Sequence, residues 1–135
     1  MAVTVADDII TLLETLGWGE RYGRLVRQTT LDGRNDGGQY ILVRDLTDSR
    51  PPESLSKTSF HSVSITVAGG PGEQGAEAAG RASASLWRDL DLVLDQTING
   101  TLYPCIADAG PIGEQQGTAG TYYSWDLNII RYYGE

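Results

Sequence analysis

The sequence is poor in several residues on which chemistry commonly depends: its 135 residues include one cysteine, one histidine, one methionine and one phenylalanine. With Cys105 alone, no intrachain disulfide can form. One thiol and one imidazole are too few for the ligand sets from which zinc sites are usually built. Cations are also scarce. Ten Lys and Arg face 18 Asp and Glu, a net charge of −8. Duplex binding takes most of its affinity from cations that release phosphate counterions, so nucleic-acid wrapping is excluded as a primary role. No apolar run approaches the ~20 residues that cross a bilayer. The opening Met1 to Asp8 has neither the basic start nor the apolar run of a secretory signal. A soluble protein that is not exported and not membrane-bound is expected.

What is present fits one domain, residues 1–135, with 40% hydrophobic residues to build a core. Charge is uneven along the chain. Residues 1–68 hold nine acids and seven bases, and residues 69–135 hold nine acids and three bases. Nine of the ten cations are arginine, whose forked guanidinium suits oriented pairing with carboxylates across interfaces.

Residues 5–16 read as an amphipathic helix, with Ile9, Leu12, Leu13 and Leu16 at helical spacing and Asp7 and Asp8 in the first turn. Gly17 and Gly19 stop it, with Trp18 as an apolar anchor between them. Strands are expected over 22–29, 39–46 and 58–67, the first two as a hairpin joined by the polar, glycine-rich segment 31–38. In the third, Val63, Ile65 and Val67 alternate with Ser62, Ser64 and Thr66, so one face is buried and the other wet. A second helix is expected over 73–96, ended by Asn99-Gly100, and two further strands over 102–107 and 121–133, joined by a glycine-rich loop at 110–120. The order α-β-β-β-α-β-β implies an α+β domain: a largely antiparallel sheet of four to five strands with two helices packed on one face.

The sharpest motif is Gly70-Pro71-Gly72-Glu73-Gln74-Gly75, a G-x-G-x-x-G between an expected strand and an expected helix. It lacks the rest of a dinucleotide site. The position about 20 residues on is Asp95, placed in the helix and not at the end of a second strand. Pro71 stiffens the turn, and Glu73 puts negative charge where a pyrophosphate would lie. His61 shares parity with Val63 and Ile65 and reads as a structural residue, and no serine sits in a Gly-x-Ser-x-Gly elbow. Asp89 and Asp91 are two apart on the expected helix and face different ways. No catalytic, cofactor-binding or metal-binding residue is assigned.

The order of parts resembles the tail-terminator or tail-completion family of long-tailed bacteriophages, also called minor capsid proteins. The resemblance rests on the opening helix Asp7-Asp8-Ile9-Ile10-Thr11-Leu12-Leu13-Glu14-Thr15-Leu16-Gly17 leading into Tyr22-Gly23-Arg24-Leu25, and on the strand Ser62-Val63-Ser64-Ile65-Thr66-Val67. It continues through a long helix from Ala76 to Leu94 to Asn99-Gly100-Thr101-Leu102-Tyr103, Ala109-Gly110-Pro111-Ile112-Gly113 and a final strand. It covers most of the chain; the stretches 69–75 and 31–38 depart from it. The family has no catalytic residues. The resemblance implies a virion structural protein, assembled in the host cytoplasm, that forms a homo-oligomeric ring, commonly sixfold, capping the tail tube and meeting the head-side connector or stopper. DNA would pass through without specific binding, and an acidic wall suits that passage. Arg24, Arg27 and Arg44 are then candidates for pairing with acids of adjacent subunits. The Arg50-Pro51-Pro52 loop, and the 110–120 loop with Glu114 and Gln115, are candidate contact surfaces. The alternatives are another neck component, a head-completion or stopper protein, and a small-molecule or nucleotide-binding module using residues 69–75.

Overall fold

The computed structural model describes residues 4–28, 39–46, 58–117 and 120–132. The first helix, α1 (Val5–Thr15), begins in a capping box. Thr4 Oγ1 accepts from the Asp7 amide at 3.3 Å, and the Asp7 carboxylate accepts from the Thr4 amide at 3.1 Å. Its apolar face, Ile9, Leu12 and Leu13, is buried in the core, worth about 1.5–3 kcal/mol per side chain. Gly17, at φ 87, ends the helix where an L side chain would be strained. A single further turn, α2 (Trp18–Arg21), then drops Trp18 into the core. The Trp18 indole nitrogen donates to Asp89 Oδ2 at 3.0 Å, and the Arg21 guanidinium lies 4.2 Å over the Trp18 ring.

The remaining elements are β1 (Arg24–Gln28), β2 (Gln39–Asp45), β3 (Thr58–Gly69), α3 (Gly72–Asp89), β4 (Leu92–Ile98), β5 (Thr101–Gly117) and β6 (Gly120–Tyr132). The strands form one curled, mixed sheet in the order β1-β2-β3-β6-β5-β4. The register stacks the apolar rows. Ile41 faces Val67, Val43 faces Ile65, Val63 faces Leu127, Ile65 faces Trp125 and Ile106 faces Ile129. These residues are buried, and α1 and α3 lie against that side of the sheet to complete one core with Ala79, Leu86 and Leu90.

This architecture corrects the expected one of four to five strands with two packed helices. Among the described residues more than half are in strands, the sheet has six strands, and the helices number three. Three local errors account for the difference. Residues 92–98, expected as the end of the second helix, are β4. The helix stops at Asp89, and Asn99 and Gly100, at φ 51 and 81, form the two-residue turn of a β4–β5 hairpin in which Ile98 faces Thr101. Residues 110–117, expected as loop, are the outer half of β5, paired with β6 beyond a register shift between Ala109 and Gly113. Strands β1 and β2 run parallel, so they are not a hairpin. A connection of this length does not fix the pairing sense as a two-residue turn does. The segments 31–38 and 47–57, the latter containing Arg50, Pro51 and Pro52, lie outside the described residues.

Candidate functional site

Three places in the molecule concentrate chemistry, and they differ in whether a ligand could reach them. The first is a polar cluster beneath α1. Asp8, 1% exposed, receives the Tyr103 hydroxyl in a short hydrogen bond and the Asn99 amide at 2.8 Å, and Asn99 also donates to Thr11 Oγ1 at 3.1 Å. Burial, reinforced by the Asp8 hydrogen bond and charge, pushes the Tyr103 hydroxyl pKa well above the ordinary phenol value. Nearby, Ser59 Oγ and His61 Nε2 are 2.7 Å apart. Burial lowers the His61 pKa, the Arg131 charge lowers it further, and Asp45 opposes both. A serine beside an imidazole resembles half of a hydrolytic pair, but Ser59 is 1% exposed, buried under the surrounding strands. Through Asp8 and Thr11 the cluster ties α1 to the β4–β5 hairpin. Arg27 belongs to the same structure: its guanidinium lies 2.9 Å from Asp7 and 3.6 Å from Asp45, while the Ala6 amide donates to Asp45 at 3.0 Å. Its charge is engaged inside the subunit.

The second place is the glycine-rich turn between β3 and α3. Here the glycines answer a packing demand. A Cβ on Gly69 would stand 1.8 Å from the Gly75 carbonyl oxygen, one on Gly75 2.3 Å from that of Gly70, and one on Gly120 2.2 Å from the same Gly70 oxygen. The strand end, the first helical turn and the tip of the β5–β6 hairpin therefore meet backbone to backbone. That contact alone requires glycine at 69, 75 and 120. The exposed Glu73 occupies the first turn of α3, as the sequence implied.

The third place is the helix-free side of the sheet and its two edges. Alternation puts the partners of the core residues on that side. One register-aligned row crosses four strands, Leu94, Cys105, Ile130 and Phe60, and the next runs Leu92, Ala107, Asn128 and Ser62. Leu92, Leu94 and Phe60 are 60%, 58% and 45% exposed. Between the strands lies a groove of about 500 Å³ lined by Phe60, Ser62, Cys105, Ala107, Asn128 and Ile130 among others. Helical periodicity over 73–96 conceals this row, because Leu94 falls inside that span.

Strands β1 and β4 are the two margins of the sheet among the described residues. Their charges are opposite. Strands β1 and β2 carry Arg24, Arg27 and Arg44 against Asp45. Arg24 and Arg44 share the helix-free side, with Arg24 5.9 Å from the Tyr40 ring centre. At the other margin, Asp91 and Asp95 are exposed beside Leu92 and Leu94, with Asp89 just before them. Asp108, opposite Asp91, receives the Trp125 indole N–H at 2.7 Å while its second oxygen is buried without a partner. Burial pushes its carboxyl pKa up to about 6; the Trp125 hydrogen bond opposes the shift and the Asp91 charge adds to it. Glu114 and Gln115 are exposed on the outer half of β5, facing Tyr123 and Tyr122 across the ladder. The structure thus brings Arg24 and Arg44 together on one margin and leaves Glu114 and Gln115 elsewhere.

No family model and no curated protein matches the chain. Its fold is shared. Seven solved chains match it, and one of them superposes with a TM-score of 0.57 over 98% of this chain and 100% of its own length, at 17% sequence identity. The name of that protein describes no activity. At such identity the likeness extends to the fold alone, since one architecture hosts many unrelated functions.

Proposed function

We propose that this chain is a structural subunit of a tailed bacteriophage, of the tail-terminator type. It acts by assembling into a ring, commonly of six copies, that caps the tail tube and meets the head-side connector. It performs no catalysis and takes no cofactor. The observation that carries this reading is that the sheet's two margins among the described residues are unlike, one acidic and edged with exposed leucines, the other basic. Unlike surfaces on one subunit suit head-to-tail association, which closes into a ring when the rotation between copies divides a full turn. The net charge of −8, which leaves a passing DNA unbound, supports the same reading.

Sedimentation velocity of the purified chain over a wide concentration range, with negative-stain imaging of the largest species, tests the proposal. Discrete rings are expected. A chain that stays monomeric throughout and also fails to co-sediment with purified phage tail tubes overturns it. Imaging of labelled virions distinguishes a tail terminator from a stopper by position along the particle axis.

A further inference from the structure

We infer that His61 is an acid-sensitive latch beneath α1, which on gaining a proton loosens that helix from the sheet. The inference does not depend on the ring.

Placement carries the argument. The start of α1 is pinned on both flanks of β3: on β2 the Asp45 carboxylate accepts from the Ala6 amide at 3.0 Å, and on β5 the Tyr103 hydroxyl donates to Asp8. His61 lies on β3 between these two pins, on the side of the sheet that the helices cover, and α1 also contacts β3. The register sets Ser59 opposite Arg131 and Val63 opposite Asp45, so His61, one pleat from each, stands diagonally between the arginine of β6 and the aspartate of β2. Among the described residues Arg131 has no ion-pair partner, and its Nε is buried without a hydrogen bond. Asp45 is already engaged by the Ala6 amide and, at 3.6 Å, by Arg27. The other ionisable groups of this inner rim are Asp7 and Asp8 on α1, Arg27 on β1 and Tyr103 on β5. An imidazolium here would face an unneutralised guanidinium, and it finds relief by drawing Asp45 away from the Ala6 amide. That removes one pin of α1. Burial and the Arg131 charge hold the His61 pKa below 6.5 while Asp45 opposes them, so the docked form resists a proton that the undocked form takes up. Docking is therefore complete above about pH 6.5 and weakens as pH falls below it. A helix of 11 residues has little stability away from the sheet, so α1 is the element that gives way.

The test is hydrogen exchange on the full-length protein, followed by NMR from about pH 7.5 to about pH 5 and corrected for intrinsic rates. In the wild type, protection of the α1 amides relative to those of β3 and β6 should fall about tenfold across that window. In His61→Gln, which stays neutral, it should remain level. Asp108 titrates over the same range in both proteins and so drops out of the comparison. Because His61 is the only histidine, its ring resonances report its own titration directly. Arg131→Gln removes the repelling charge, so it should move that titration up toward 6.5 and reduce the loss of α1 protection. Should His61→Gln fail to fold, the ring titration and the exchange of Arg131→Gln decide by themselves. Equal loss of α1 protection in wild type and His61→Gln, loss in neither, or a wild-type ring that titrates at or above the ordinary histidine value overturns the latch.

Discussion

Asp108 shows how one residue's surroundings fix a measurable property. Its carboxyl is half buried beside Asp91, with one oxygen held by Trp125 and the other unpartnered, and its pKa is raised from 3.8 to about 6. A carboxyl with a raised folded-state pKa holds its proton in the folded protein at pH values where the unfolded chain has released it. Stability therefore falls as pH rises from about 4 through 6, and the full cost is present at neutral pH. Asp108→Asn keeps an oxygen to accept from the indole and removes the buried charge. It should stabilise the protein by about 1–2 kcal/mol at pH 7, after allowance for solvent screening, and by nearly nothing at pH 4. Melting curves between pH 4 and 8 give the answer; a variant less stable than wild type at pH 7 would mean that the Trp125 bond outweighs burial. The same scale explains His61 and Arg27. Both were legible as residues, but their partners Ser59, Asp7 and Asp45 come together through strand pairing and helix docking, which no local spacing announces.

Among the elements, the turn from β3 into α3 is the most constrained. Gly75 lets the first turn of α3 rest on the carbonyl groups of Gly69 and Gly70. Gly75→Ala should cost about 3 kcal/mol or more, since a Cβ there meets backbone that cannot swing aside, and chemical denaturation would read the loss directly. Gly72→Ala puts strain at φ 84 but meets no neighbour, and should cost only about 1 kcal/mol. Near-equal losses at the two positions would remove the packing explanation. The motif's glycines were visible in the sequence; that they serve a crossing of three backbones, including Gly120 from a distant hairpin, was not. Strand β4 illustrates the opposite failure. Leu90, Val93 and Leu94 continue the helical stripe of Leu86, so the period favoured helix. Yet Thr97-Ile98-Asn99-Gly100-Thr101-Leu102 carries the β-branched residues and Asn-Gly pair of a hairpin, and that signal was present to be read.

At the scale of the whole molecule, charge sets what the protein avoids. A net charge of −8 on 135 residues repels polyanions at a distance and supplies few cations to hold them. Duplex DNA titrated with the protein at low salt should migrate unchanged in a native gel, both with wild type and with the Arg24→Glu, Arg44→Glu variant. Retention by wild type that the variant loses would assign the arginine margin to phosphate binding and count against its role between subunits. The sheet's curl matters at this scale too: α1 touches both β1 and β4, so the helix braces the two margins from inside.

The sequence by itself determined the opening helix and its glycine stop, and the alternation in β3, because each depends on neighbours within a turn or a strand. It also determined the lack of disulfide and the acidic surface, which follow from composition. The parallel pairing of β1 with β2, the strand fate of residues 92–98 and 110–117, and the opposition of an arginine margin to an aspartate margin were decided only by tertiary structure. Those outcomes depend on which distant backbone edges satisfy one another's hydrogen bonds, a competition that local periodicity does not enter.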